Sequence, residues 1–87
     1  MADIINEREQ EIIDLVVKAL PQHFVAAKPM TVHTLEGSES ATLRFTADEN
    51  SSTDLKRDRI AGGSESVEEL AHEVETRLKM QLGYVRS

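Results

Sequence analysis

Between residues 41 and 47 apolar and polar side chains alternate without a break. Ala41, Leu43, Phe45 and Ala47 fall on one side, Thr42, Arg44 and Thr46 on the other. A period of two is the signature of a half-buried strand. The preceding run, residues 30–36, is rich in β-prone types, and the GSES connection at 37–40 has hairpin length. In this first arm Met30, Val32 and Thr34 share one face, and Thr31, His33 and Leu35 share the other. The apolar character is divided less sharply there than in the second arm.

On either side the period changes to 3.6. From about residue 4 to residue 20, Ile5, Ile12, Ile13, Val16, Val17, Ala19 and Leu20 span an arc of about 160°, wider than the roughly 100° stripe that packing on one surface requires. Asp3 or Asn6 suits the N-cap, and Asn6 has Glu9 at capping-box spacing. Glu7, Glu9 and Glu11 complement the helix dipole, Asp14 stands one turn before Lys18, and Pro21 ends the pattern. Residues 22–28 read as one further turn begun by Pro21, with Phe24 continuing the apolar face and Pro29 holding Lys28 extended. The last helix opens on a Ser66–Glu69 capping box and carries Val67, Leu70, Ala71, Val74, Leu78 and Leu82 in one stripe about 120° wide. Gly83 fits its C′ position, and Glu73–Arg77 and Glu75–Lys79 are spaced as ion pairs. Residues 48–65 show neither period. They read as a long loop, with at most a helical turn between Thr53 and Ile60 that Gly62 and Gly63 break.

These elements predict a single α+β domain over residues 1–87, ordered α-β-β-α, with an antiparallel hairpin packed against two helices. A two-stranded hairpin is marginal alone, and no segment reads as a third strand. The expected remedy is a homodimer: two copies joined edge to edge give a four-stranded sheet with four helices on one face, which hides the surplus arc of the first helix. The alternative architecture is a monomer whose long loop covers the hairpin edge.

Charge narrows the range of partners. Sixteen acidic residues against ten basic ones give a net charge of −6, and the isoelectric point is near 4.9. Such a field repels phosphate backbones and anionic membranes, so nucleic acid is not the expected partner. Phe24, Phe45 and Tyr84 are the only aromatic residues, too few for a base-stacking platform. There is no cysteine and no apolar run of membrane-spanning length, and Met1-Ala2-Asp3-Ile4 lacks the basic residues of a signal peptide, so none is expected. A cytoplasmic protein without membrane attachment is expected.

Candidate chemistry is sparse. His23, His33 and His72 lack the spacing of paired metal ligands, and no Gly-x-Ser-x-Gly elbow occurs. The carboxylates fall on wet helix faces, and Glu65, Glu68 and Glu69 occupy the helix start that would otherwise attract a phosphate. The expectation is no enzyme, no cofactor and no metal. The most specific local feature is Lys56-Arg57-Asp58-Arg59, with Lys28 and Arg44 as potential neighbours. The second is the sheet face bearing Thr31, His33, Leu35, Thr42, Arg44 and Thr46. The element order invites comparison with double-stranded-RNA binders, but those have a third strand and lysines at the start of the last helix, where this chain has glutamates. The expected function is a small, non-enzymatic protein-interaction or regulatory module. It would contact a protein partner through Lys56, Arg57 and Arg59 or through Thr31, His33, Leu35 and Arg44. The alternatives are an acidic inhibitor imitating nucleic acid, of the anti-defence kind that phages and mobile elements carry, and a weak nucleic-acid binder using residues 56–59.

Overall fold

In a computed structural model, residues 4–83 form α1 (Glu7–Ala19), β1 (Val25–His33), β2 (Glu39–Ala47), β3 (Ser51–Lys56), α2 (Arg57–Gly62) and α3 (Val67–Gln81). The strands make an antiparallel meander in the order β1-β2-β3. Opposed residues in such a sheet share a face. The helix-facing rows are therefore Val25–Ala47–Ser51, Ala27–Phe45–Thr53 and Pro29–Leu43–Leu55. Above them α1 lies against β1, α3 lies against β3 and β2, and the two helices pack on each other.

The core is what these rows and helices enclose. Ile12 and Val16 from α1 and Leu20 at its C-cap meet Leu43, Phe45, Ala47 and Leu55 from the sheet and Leu70, Ala71, Val74 and Leu78 from α3. Ile60 closes one end from α2. Both long helices begin as their sequences require. Asn6 accepts the Glu9 N–H while the Glu9 carboxylate accepts the Asn6 N–H, and Ser66 and Glu69 repeat the arrangement. Gly83, at φ +87°, follows the Leu82 C-cap.

The α+β class holds, but the order is α-β-β-β-α-α. Most of the expected loop at 48–65 is β3 followed by α2. β3 escapes a hydrophobicity reading because two of its three helix-facing residues are hydroxylic: Ser51 and Thr53 accompany Leu55. The segment after Pro21 is a turn and then strand rather than a further helical turn, and Phe24 is 72 % exposed. Pro29 lies inside β1 instead of ending the segment before it.

The hairpin turn also differs. It is centred on Glu36, with Thr34 N–H bonded to the Ser38 carbonyl and Gly37 at φ +88°. A loop at 37–40 would set Thr31 opposite Thr46; the actual turn sets Thr31 opposite Ala41. That change of register inverts every side chain of the first arm. Thr31 and His33 thus lie on the helix-side face of the hairpin, Leu35 sits at its tip, and Ala26, Lys28, Met30 and Val32 share the uncovered face with Arg44.

Candidate interaction surfaces

The basic run divides at the β3–α2 junction. Lys56 ends β3 on the uncovered face, opposite Thr42. Arg57 turns inward and grips Glu9 with two hydrogen bonds, Nε to Oε2 at 2.6 Å and Nη2 to Oε1 at 2.7 Å. It also donates to the Ile4 carbonyl at 2.7 Å. The Glu9 side chain is only 1 % exposed. Burial pushes its pKa up, but the hydrogen bonds from Arg57 and Asn6 and the Arg57 charge prevail and hold it below the usual carboxylate range. Arg59 clamps Glu65 and Glu73, at 2.8 Å and 2.6 Å, and lowers the pKa of both. Arg8 donates to the Ile60 carbonyl at 2.7 Å and to the Glu65 carbonyl, closing the end of α2. The guanidinium groups of this stretch therefore fasten α2 between α1 and α3. Nothing in the charge run itself signals this; the clue lies at Glu9, which projects into the apolar arc of α1 beside Ile5 and Val16 and so requires a buried cation.

The two outer edges of the sheet differ. On β3 the Gln81 side chain stands in for a strand: its Oε1 accepts the Ser52 N–H at 2.9 Å and its Nε2 donates to the Ser52 carbonyl at 2.6 Å. On β1, the Phe24 carbonyl and the Thr34 N–H both bond toward β2. Even-numbered residues of β1 therefore spend their peptide groups on β2, and odd-numbered ones point outward. The outward row carries the N–H groups of Val25, Ala27, Thr31 and His33, interrupted by Pro29, which has none. An edge strand is where proline is tolerated, because its missing donor faces solvent.

Above this edge lies the flank of α1 turned away from α3. Glu11, Leu15 and Lys18 share a groove with Val67 and Glu68 of α3, which fixes the inward flank. Ile13 and Val17 project about 160° from Leu15, over β1. Ile13 is half-buried and Val17 is 42 % exposed. This is what remains of the surplus arc of α1 after the sheet and α3 have packed.

Among the described residues no helix covers the opposite face of the sheet. Its rows run Ala26–Thr46–Ser52, Lys28–Arg44–Asp54 and Met30–Thr42–Lys56. Arg44 holds Asp54 through Nε and Nη2 at 2.7 and 3.1 Å. A shallow hollow is lined by Ala26, Lys28, Arg44 and Thr46.

The histidines are dispersed. His23 pairs with Asp48 at 2.5 Å, His33 stands 3.9 Å from Glu39, and His72 is exposed on α3. Asp48 also accepts the Phe24 N–H at 2.9 Å, and its pKa is lowered by the hydrogen bond from His23 and then by that from Phe24. Among the described residues no group of three or more His, Asp or Glu side chains is placed to hold a metal ion, and no helix is long and apolar enough to cross a membrane. The third strand brings the element order nearer to that of double-stranded-RNA binders, yet α3 still begins with Glu68 and Glu69 in its first turn. No protein-family model, curated protein or solved structure matches the chain.

Proposed function

We propose that the protein is a non-enzymatic protein-interaction module that associates with a second copy of itself through its β1 side. The carrying observation is the coincidence of two unfinished surfaces on that side: the outward peptide groups of β1 and the Ile13–Val17 flank of α1. β1 against β1 about a twofold axis extends the three-stranded sheet to six strands and sets the two α1 flanks against each other. With full overlap, Val25 faces His33 and Ala27 faces Thr31 of the second copy, while Pro29 faces its own counterpart and exchanges no hydrogen bond. The proline weakens the ladder at its centre, so the apolar flank supplies much of the contact and sets the register. The wider role is regulatory: a paired scaffold with a continuous open sheet face for other proteins.

Sedimentation equilibrium tests this. The wild type is expected to approach twice its 9.7 kDa chain mass at micromolar concentration, and Val17→Glu to return it to the single-chain mass with an unchanged circular dichroism spectrum. A wild-type mass of 9.7 kDa at every concentration removes the reading.

A second reading draws on the α1–α3 groove, where Glu11, Asp14, Glu68 and Glu75 line one surface. Carboxylates collected on one face suit an acidic inhibitor that imitates nucleic acid. Its test is competition with duplex DNA for a basic target protein; absence of competition eliminates it.

A further inference from the structure

We propose that the uncovered sheet face is a docking site for an acidic, extended polypeptide segment, whose carboxylates are received by Lys28, Arg44 and Lys56. The strand positions of this face hold those three cations against one carboxylate, Asp54, in a protein whose net charge is −6. The charge is also placed unfavourably for a bare sheet. Lys28 and Arg44 are directly opposed across β1 and β2, and like charges in that relation repel. Asp54 engages Arg44 from the β3 side through Nε and Nη2, and does nothing for Lys28, which lies beyond Arg44. An anion in the hollow between Lys28, Arg44 and Thr46 removes the repulsion, takes the remaining guanidinium donors and meets a hydroxyl.

The shape of the face selects a polypeptide. It is a shallow, pleated surface with Ala26, Met30 and Val32 half-buried along β1, able to receive the alternate side chains of a strand. An extended chain with an acidic residue at every second position presents its carboxylates on one side, toward the three cations, and turns the intervening side chains to solvent. Nucleic acid fits less well. Among the described residues the paired strand positions of this face hold no aromatic side chain, exposed Phe24 standing just before β1, and three cations make few phosphate contacts. The acidic groove between α1 and α3 lies on the far side of the helix layer, and screening over about 8–10 Å in salt confines its repulsion there. The site belongs to one chain and does not depend on the self-association proposed above.

The test is fluorescence anisotropy with a labelled peptide of alternating glutamate and threonine, beside a matched peptide of alternating glutamine and threonine. The wild type is expected to bind the acidic peptide and not the neutral one. The double variant Lys28→Ala/Lys56→Ala changes two exposed side chains and is expected to bind about tenfold more weakly. Glu11→Gln/Glu68→Gln, on the other surface, is expected to bind no more than twofold differently from wild type. Val17→Glu is expected to retain wild-type affinity, which separates this site from the proposed dimer. Equal affinity for the neutral peptide, undiminished binding by the folded Lys28→Ala/Lys56→Ala variant, loss of binding in Val17→Glu, or tighter binding of duplex DNA or RNA at the same salt overturns the proposal.

Discussion

Replacing Arg57 by alanine removes the partner of a buried carboxylate. Glu9 is 1 % exposed and has two of its hydrogen bonds from Arg57, leaving only the Asn6 N–H at 3.2 Å when that side chain is gone. Breaking one member out of a buried pair costs about 3–5 kcal/mol, because the remaining charge is stranded in a poor solvent. A chain of this length is held by about 4–13 kcal/mol, so Arg57→Ala should consume a large part of its stability. The assay is urea unfolding followed by circular dichroism at several pH values. In the wild type the lowered pKa of Glu9 supplies stability that is present above the unfolded carboxylate pKa, about 4.3, and lost as pH falls through the folded value. In Arg57→Ala burial acts unopposed by that cation and favours the protonated acid. The gap between the two proteins should therefore be widest near pH 7 and narrow toward pH 4. Replacing both residues with apolar ones, Glu9→Leu/Arg57→Met, should cost far less than Arg57→Ala, since no charge is left buried. A loss below about 1 kcal/mol, the range of a surface pair, or a gap independent of pH refutes the reasoning.

Two further outcomes follow from the same contacts. Gln81→Ala should lower stability by about 1–2 kcal/mol and raise the rate of aggregation, because it uncovers both peptide groups of Ser52 on the β3 edge; urea midpoints and turbidity on heating check this. Asp48→Asn keeps an acceptor for the Phe24 N–H and a residue tolerant of φ +55°, but removes the charge beside His23. Because the Asp48 pKa is lowered in the fold, its contribution is present above the unfolded carboxylate pKa and lost as pH falls through the lowered one. Melting temperature below about pH 4 should thus fall less steeply in Asp48→Asn than in wild type.

Much of the scaffold is legible wherever burial is written in apolar residues. β2 alternates because its even positions face away from the core, and α3 shows both its cap and its stripe. The parts that elude a sequence reading are built from polar side chains. β3 packs with serine and threonine, so its period is invisible to hydropathy. β1 begins at Val25-Ala26-Ala27, where two alanines dilute the strand preference of Val25, and contains a proline that its edge position permits. Arg57 and Arg59 look like a solvent-facing grip because their partners Glu9 and Glu73 are distant in sequence. Register is the subtlest loss: with the turn centred on Glu36 rather than within 37–40, the pairing shifts by an odd number of residues, so Thr31 and His33 change faces and Lys28 takes their place beside Arg44.

Residue-resolved amide exchange along β1, followed by NMR as protein concentration rises, addresses the self-association of this strand most directly. At low concentration the inward amides of Ala26, Lys28, Met30 and Val32 should be protected and the outward amides of Val25, Ala27, Thr31 and His33 open. On raising the concentration the outward set, above all Ala27 and Thr31, should slow until the alternation fades. Alternation that persists unchanged at every concentration contradicts a β1-mediated pair.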